Sequence, residues 1–159
     1  MIEVILTFED FTRAHDCAWR RLTESHHQGL HAAKRYQRGW AERLRDDVVG
    51  ACGELAFAKV VGANWDEKIN TFHSVADIAD VVEVRATTRD AGHLLVRPDD
   101  PPERWYYLVT GDPPVMTIRG GILGSAARRN EWLQEWNAGP AVWAVPQSAL
   151  TPLRQLPKG

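Results

Sequence analysis

The sequence predicts a single α+β domain in which helices come first and β-strands follow. Three observations lead to this fold class. The length of 159 residues fits one domain. Apolar residues recur at helical spacing before Gly62, and shorter β-branched or aromatic runs follow it. With 44% hydrophobic and 25% charged residues, the composition is that of a folded protein rather than a disordered one.

The first half of the chain is predicted to be mainly helical. A short strand precedes a helix that Thr7 can cap, with Asp10 at the capping-box position. In a later helix, Asp46 and Asp47 would lie in the first turn and Gly62 would follow the end, where these residue types are favoured. The predicted elements are a strand over 2–7, a helix from Thr7 to about Thr23, a connection over 25–29, and helices over 31–45 and 46–61.

The second half is predicted to form a meander of antiparallel strands. Its apolar runs are separated by segments rich in Gly, Pro and Asp, which are typical of turns. The predicted strands cover 69–78, 81–87, 93–97, 105–110 and 115–123, followed by a helix over 125–136, with Ser125 as its cap, and a strand over 141–145. We therefore expect one domain with an N-terminal strand and helices over 1–45, a core over 46–147 and a tail over 148–159.

The composition argues against several classes of protein. Cys17 and Cys52 are the only cysteines and no signal-peptide pattern opens the chain, so we expect no disulfide scaffold and a cytoplasmic location. No apolar run approaches the ~20 residues of a membrane helix, so a membrane is not an expected partner. The formal charge of −2 neither requires nor excludes nucleic acid.

Glu54 is the first residue with a chemical signal. Almost every other position from 48 to 61 is apolar or small, so we expect this helix to be buried nearly all round. A buried carboxylate is unfavourable unless a cation, a metal ion or strong hydrogen-bond donors meet it. Glu54 is therefore a functional acid, the partner of a buried arginine, or a residue on an exposed strip. Gly50 and Gly53 would let another backbone approach the helix closely.

A second signal lies in the strand predicted over 81–87. Because side chains alternate along a strand, Glu83 and Arg85 share one face while the neighbouring apolar residues share the other. An acid and a base at this spacing form either part of a chemical site or an exposed pair on a solvated face of the sheet.

Asp77 and Asp80 are the candidates to accompany Glu83. A tight turn at 79–80 would place Asp77 beside Glu83 at the ~5 Å spacing of neighbouring strands. Without that turn, Asp80 falls on the opposite face from Glu83 unless a bulge rotates it. The geometry favours Asp77 as the partner, although Asp77 as an ordinary turn residue is the alternative.

These residues resemble the PD-(D/E)XK nuclease superfamily. The resemblance rests on a helix with a lone glutamate, Glu54 within residues 50–56, followed by an aspartate and then by Glu-x-basic on a strand. The predicted elements from 46 to 145 are also similar to its restriction-endonuclease-like αβββαβ core, with a mainly antiparallel or mixed central sheet. Residues 143–147 resemble the end of its last strand. The first two helices would be an N-terminal addition, and the chain is similar to small phage-type members.

The resemblance implies a nuclease that hydrolyses phosphodiester bonds in DNA through a water bound to Mg²⁺ or Mn²⁺. The implied metal ligands are Asp77, Glu83 and the carbonyl of Val84, with Glu54 assisting. Arg85 occupies the position of the family's lysine. An arginine cannot serve as a general base, although it can hydrogen-bond the scissile phosphate. The alternatives are a catalytically inactive nuclease fold that binds nucleic acid or another protein, and a structural α+β protein.

Arginines are the candidates for contact with DNA, the expected partner. They lie in the predicted second helix, beside the hairpin after the presumed site, and near the start of the predicted last helix. They are Arg35, Arg38, Arg89, Arg97, Arg128 and Arg129. Gln147 is a further candidate at the end of the last strand, and His73 would lie at the rim of the acidic cluster. A homodimer is left open.

Overall fold

The computed structural model describes residues 1–28, 39–67, 81–135 and 140–153. Within these residues the fold is α+β, with a mixed sheet of four strands and an antiparallel sheet of three. The helices are α1 (Phe8–His27), α2 (Trp40–Val61) and the short α3 (Gly124–Ala127). The strands are β1 (Ile2–Ile5), β2 (Val82–Thr87), β3 (Leu94–Val96), β4 (Trp105–Asp112), β5 (Val115–Leu123), β6 (Leu133–Gln134) and β7 (Val142–Val145).

The start of α1 is as the sequence predicts. The Thr7 hydroxyl accepts a hydrogen bond from the Asp10 backbone N–H, and the Asp10 carboxylate accepts one from the Thr7 N–H, which completes a capping box. The end differs, because the helix continues to His27 through most of the predicted connection over 25–29. No residue in 24–27 is a glycine or proline, and two histidines suit the last turn of a helix.

Helix α2 is one continuous element where the sequence predicted a boundary between residues 45 and 46. Asp46 and Asp47 therefore lie in its interior rather than in a first turn. Acidic residues favour a helix start, but nothing between Trp40 and Val49 breaks the helix. Gly62 ends α2 in the left-handed conformation, at φ 68°, as expected. Residues 51–58 are all buried, which confirms the prediction of a helix enclosed nearly all round.

Helix α2 packs closely on β2 at Gly53. A Cβ on Gly53 would lie 2.6 Å from the Cβ of Ala86, which is fixed to its own backbone. Gly50, one turn earlier, has nothing within 4 Å of such an atom. The close approach that both glycines were expected to permit therefore occurs at Gly53 alone.

The main sheet has the order β1-β5-β4-β2 and is mixed. Strands β1, β5 and β4 pair antiparallel, but β2 pairs parallel with β4, so the predicted antiparallel meander is wrong at this step. The reason lies in β3, which leaves the main sheet and pairs antiparallel with β7 in the second sheet, β3-β7-β6. The last strand over 141–145 is confirmed as β7, but it belongs to the second sheet.

The predicted helix over 125–136 is largely absent. The chain forms only α3, a 3₁₀ turn at Asn130–Trp132 and β6, and Ser125 lies inside α3 rather than at its cap. Arg128, the residue after α3, donates from Nη2 to the backbone carbonyl of Asp100 at 2.5 Å. That contact ties the chain to the loop before β4 where a longer helix would have carried it away.

Two buried clusters lie on the two faces of the main sheet. The first core, between α1, α2 and the sheet, includes Cys17, Leu55, Val82, Val84 and Tyr107. The second core, between the main sheet and the second sheet, includes Leu94, Val96, Tyr106, Leu108 and Val145. The sheet is therefore the middle of three layers, and a side chain's face decides which core it meets.

Several predicted features lie outside the described residues. They are the candidate site residues Arg35, Arg38, His73, Asp77 and Asp80, the predicted strand over 69–78, and the part of the predicted helix over 31–45 that precedes Gly39. None of the described helices is long and apolar enough to cross a membrane.

The two glycines of α2 provide a matched test of the packing. Gly53→Ala should lower the free energy of unfolding by about 1–3 kcal/mol, because the new methyl overlaps Ala86. Gly50→Ala should raise it by about 0.5–1 kcal/mol, because alanine favours the helix and meets open space. Urea denaturation of both variants measures these changes. Equal effects of the two substitutions would contradict the contact.

Candidate functional site

Glu54 is a buried partner of an arginine. Its two carboxylate oxygens each accept a hydrogen bond from Arg21 of α1, at 2.8 Å, and Trp65 Nε1 donates a third at 3.0 Å. The Glu54 side chain is 9% exposed and that of Arg21 15%. A bidentate pair of this kind compensates a buried carboxylate. Of the alternatives that the sequence left open for Glu54, the described contacts correspond to the ion pair.

Glu83 is held in the same manner by a different arginine. Arg104, the residue before β4, donates from Nη1 to Glu83 Oε1 at 2.6 Å, and the side chains are 13% and 7% exposed. Because β2 runs parallel to β4 and pairs Glu83 with Tyr106, the start of β4 brings Arg104 beside β2. Glu83 is therefore a buried, charge-compensated residue and not part of an exposed pair.

The main sheet separates these two carboxylates. The neighbours of Glu83 in β2 point into the first core, so Glu83 points to the opposite face, where its register partner Tyr106 belongs to the second core. Glu54, by contrast, bonds to α1 and to Trp65, on the side of the first core. The structure does not bring Glu54 and Glu83 together.

The described residues do not fit the Mg²⁺ site that the resemblance implies. Mg²⁺ needs carboxylate oxygens in an octahedral arrangement, whereas those of Glu54 and Glu83 face guanidinium groups on different sides of the sheet. The carbonyl of Val84 as a metal ligand stays a prediction, since the burial of the Val84 side chain in the first core does not bear on it. Among the described residues, no three His, Cys, Asp or Glu side chains are grouped so that they could hold a metal ion.

Arg85, in the position of the family's lysine, is held by Asp100. Arg85 Nη2 donates to Asp100 Oδ1 at 2.9 Å, and its guanidinium lies 5.6 Å from the centre of the Tyr106 ring. Asp100 is fully buried, and its Oδ2 accepts from the Arg97 backbone N–H at 2.8 Å. One carboxylate thus orients both Arg85 and the turn that carries Arg97. The sequence analysis missed Asp100 because it lies in a Pro- and Asp-rich turn, where an acid is ordinarily exposed.

A cleft of about 740 Å³ opens beside Arg85. We call it the cleft and define it by its polar lining, which comes from β2, the loop after β2, the turn after β3, β6 and α2. These residues are Arg85, Thr87, Arg89, His93, Arg97, Gln134, Asp46 and Asp47. Its apolar lining includes Leu95, Leu108 and Ala144. The cleft unites several residues of the predicted site.

The loop over 88–93, which we call the cleft loop, is held from two sides. Gln147 Nε2 donates to the carbonyls of Asp90 and Gly92, at 2.7 and 3.0 Å. Arg119 bonds to the Asp90 carboxylate and, from Nε at 2.7 Å, to the Thr110 hydroxyl. Gln147 was a further candidate for the site; its amide N–H₂ group holds the loop that carries Arg89 and His93. Arg119 was not predicted.

Arg89 and Arg97 present charge that the described residues do not compensate. Both side chains are exposed, line the cleft, and have no acidic partner in the part of the chain that the structure describes. Arg128 instead donates to the Asp100 carbonyl and lies 5.2 Å from the centre of the Trp143 ring. Arg129 lies 3.6 Å from Glu131. Of the four described arginines predicted to contact DNA, two therefore lie in the cleft.

Asp47 contributes a partly buried carboxylate to the lining of the cleft. It is half-buried, and this burial raises the pKa of Asp47 from 3.8 to about 6, although Arg21 and Arg43 act in the opposite direction. Asp46 and Glu54 add to the increase through repulsion. Asp47 precedes Glu54 by two helical turns, and this spacing on a buried helix is the signal that could have identified it.

Comparison with known proteins finds no matching family model, no matching curated protein and no matching solved structure.

Glu83→Gln tests whether this carboxylate serves the fold. The variant should lose about 3 kcal/mol of stability, with or without Mg²⁺, because the substitution removes the negative charge that Arg104 meets in a buried pair. Asp99→Asn, at an exposed acid near Arg97, should change stability by less than about 0.5 kcal/mol. Denaturant unfolding measures both. A Glu83→Gln variant as stable as the parent would contradict a stabilising role of the pair with Arg104.

Asp47→Asn tests the environment of Asp47 through pH. An acid whose pKa is raised in the folded state destabilises the fold when it is ionised, above pH 6, and this effect fades as the pH falls toward 3.8. Asp47→Asn should therefore raise the melting temperature at about pH 8 and do so less at about pH 5. Thermal unfolding at the two pH values measures the difference. A rise in melting temperature that is the same at both pH values would contradict a raised pKa of Asp47.

Proposed function

We propose that this protein is a nucleic-acid-binding module that contacts phosphate groups through Arg89 and Arg97 of the cleft. The observation that carries the proposal is that these two exposed guanidinium groups line one cleft without an acidic partner among the described residues. Arginine presents a planar set of donors that matches phosphate oxygens. Such contacts supply most of the affinity of proteins for nucleic-acid backbones.

The backbone segments that carry Arg89 and Arg97 are held by hydrogen bonds, and this favours binding. Gln147 and Arg119 hold the cleft loop of Arg89, and Asp100 holds the backbone of Arg97. A site that is ordered before its ligand arrives loses less conformational entropy on binding. Arg85 lies at the same cleft, but Asp100 compensates its charge, so we assign the phosphate contacts to Arg89 and Arg97.

The metal-dependent nuclease is the competing proposal. It would require Glu83 to turn its oxygens from Arg104 to a Mg²⁺ ion, with Asp77, outside the described residues, as second ligand. The contacts of Glu54 with Arg21, and of Glu83 with Arg104, favour binding without hydrolysis. An arginine in place of the lysine favours the same conclusion, because it cannot take a proton from water.

The restriction-endonuclease-like core is part of the proposal. A buried helix, α2, that packs on a mixed sheet bearing Glu83 and Arg85 supports this core. The pairing of β7 with β3 in a second sheet, rather than within the main sheet, speaks against it. The binding function stands on the cleft and does not depend on the outcome for the core.

Arg89→Gln and Arg97→Gln test the phosphate contacts. Each variant should weaken the binding of labelled DNA at low salt and reduce the slope of log affinity against log salt by about 1. Arg45→Gln provides the matched control, because Arg45 is an exposed arginine of α2 that does not line the cleft. Fluorescence anisotropy over a salt series measures the slopes. Equal effects of all three substitutions would overturn the assignment to the cleft.

The same preparations separate binding from hydrolysis. Supercoiled plasmid and labelled single strands are incubated with Mg²⁺ or Mn²⁺, with Glu83→Gln as the control for contaminating nucleases. We expect retention of DNA without cleavage. Cleavage that the Glu83→Gln substitution abolishes would replace the proposal with the metal-dependent nuclease. If the protein neither retains nor cleaves DNA, both proposals fail and the alternative of a structural α+β protein stands.

A further inference from the structure

The cleft contains chemistry that phosphate binding does not use. The two exposed arginines come from the cleft loop and the turn after β3, whereas Asp47 comes from α2. The apolar side chains of Leu95 in β3, Ala86 in β2 and Ala91 in the cleft loop, each at least partly exposed, complete the lining. A phosphate group satisfies the arginines but is repelled by the carboxylate, so a ligand for the whole cleft needs an anionic part, an apolar part and a hydrogen-bond donor.

We propose that the cleft binds one unpaired nucleotide, with its phosphate on Arg89 and Arg97 and the amino group of its base on the Asp47 carboxylate. The proposal rests on the proposed function, because it requires that the cleft bind nucleic acid. It adds which strand state binds and which bases are preferred: those that present an amino group, as cytosine, adenine and guanine do and thymine does not.

The position of Asp47 supports an N–H donor as its ligand. An ionised carboxylate accepts hydrogen bonds and donates none. Asp47 is half-buried, lines the cleft, and accepts no side-chain hydrogen bond from the residues that the structure describes. Burial has removed part of the water around the Asp47 carboxylate, and a ligand N–H would supply a hydrogen bond that this water no longer provides. Aspartate is among the side chains that accept from the N4 amino group of cytosine.

The size and lining of the cleft support an unpaired base. A volume of about 740 Å³ lies within the range of small-molecule sites, ~300–1,000 Å³. Leu95 and Ala86, which are partly exposed, and Ala91, which is exposed, offer apolar surface to the face of a base. A base in a duplex is stacked and paired, so it enters such a cleft only after extrusion, which is unfavourable by a few kcal/mol. Single strands should therefore bind more tightly than duplexes.

Oligo(dC) and oligo(dT) of equal length form the closest pair of probes. Both are single-stranded pyrimidine strands of equal charge, but cytosine donates from N4 where thymine has the O4 acceptor. Anisotropy titrations at low salt and above neutral pH should give the parent protein about tenfold higher affinity for oligo(dC), the expected effect of one hydrogen bond to a charged group. Asp47→Asn should bring the two affinities close to equality, because an amide both donates and accepts.

The controls separate this proposal from the one on which it rests. Glu42→Gln removes a charge from the same helix outside the cleft and should leave the preference for oligo(dC) intact. Thermal unfolding confirms that Asp47→Asn is folded. Equal affinities of the parent for both strands, with Arg89→Gln still weakening each, would overturn the base contact and leave the phosphate contact standing. A preference that survives Asp47→Asn, or tighter binding of duplex, would also overturn it. Binding to neither strand would overturn both proposals.

Discussion

The carboxylate of Asp100 is buried, and the arrangement of the cleft depends on the groups that compensate its negative charge. One oxygen receives the Arg85 side chain and the other receives the Arg97 backbone N–H. The Asp100 carbonyl accepts from Arg128, which joins the chain after α3 to the same turn. A buried acid with these partners fixes the Arg85 side chain relative to the backbone of Arg97.

Glu54 and Glu83 follow the same rule in the two cores. Each is an acid that hydrophobic neighbours enclose, and each meets one guanidinium that arrives from a distant part of the chain. The sheet between them explains why a motif that resembles a metal site in sequence serves two separate ion pairs in the described structure. Alternation along one strand establishes which face a residue occupies, but not what faces it across the core.

Local features were the ones that sequence could predict. Thr7 and Asp10 are three residues apart, so their capping box is visible in the sequence, and so are the buried character of α2 and the shared face of Glu83 and Arg85. The partners Arg21 and Arg104 lie 33 and 21 residues from their acids, and nothing local identifies them. The parallel pairing of β2 with β4 likewise depends on β3, which joins the strand β7 from the end of the described chain.

Gln147 makes the cleft loop depend on a residue that is distant in the sequence. The residues that it bonds, Asp90 and Gly92, precede it by 57 and 55 positions, so a growing chain holds Arg89 and His93 long before their support has been synthesised. During translation the loop thus lacks its second attachment until β7 emerges and docks. The geometry of this surface therefore depends on a contact between residues that are distant in the sequence, and such a contact forms after the local structure of the loop.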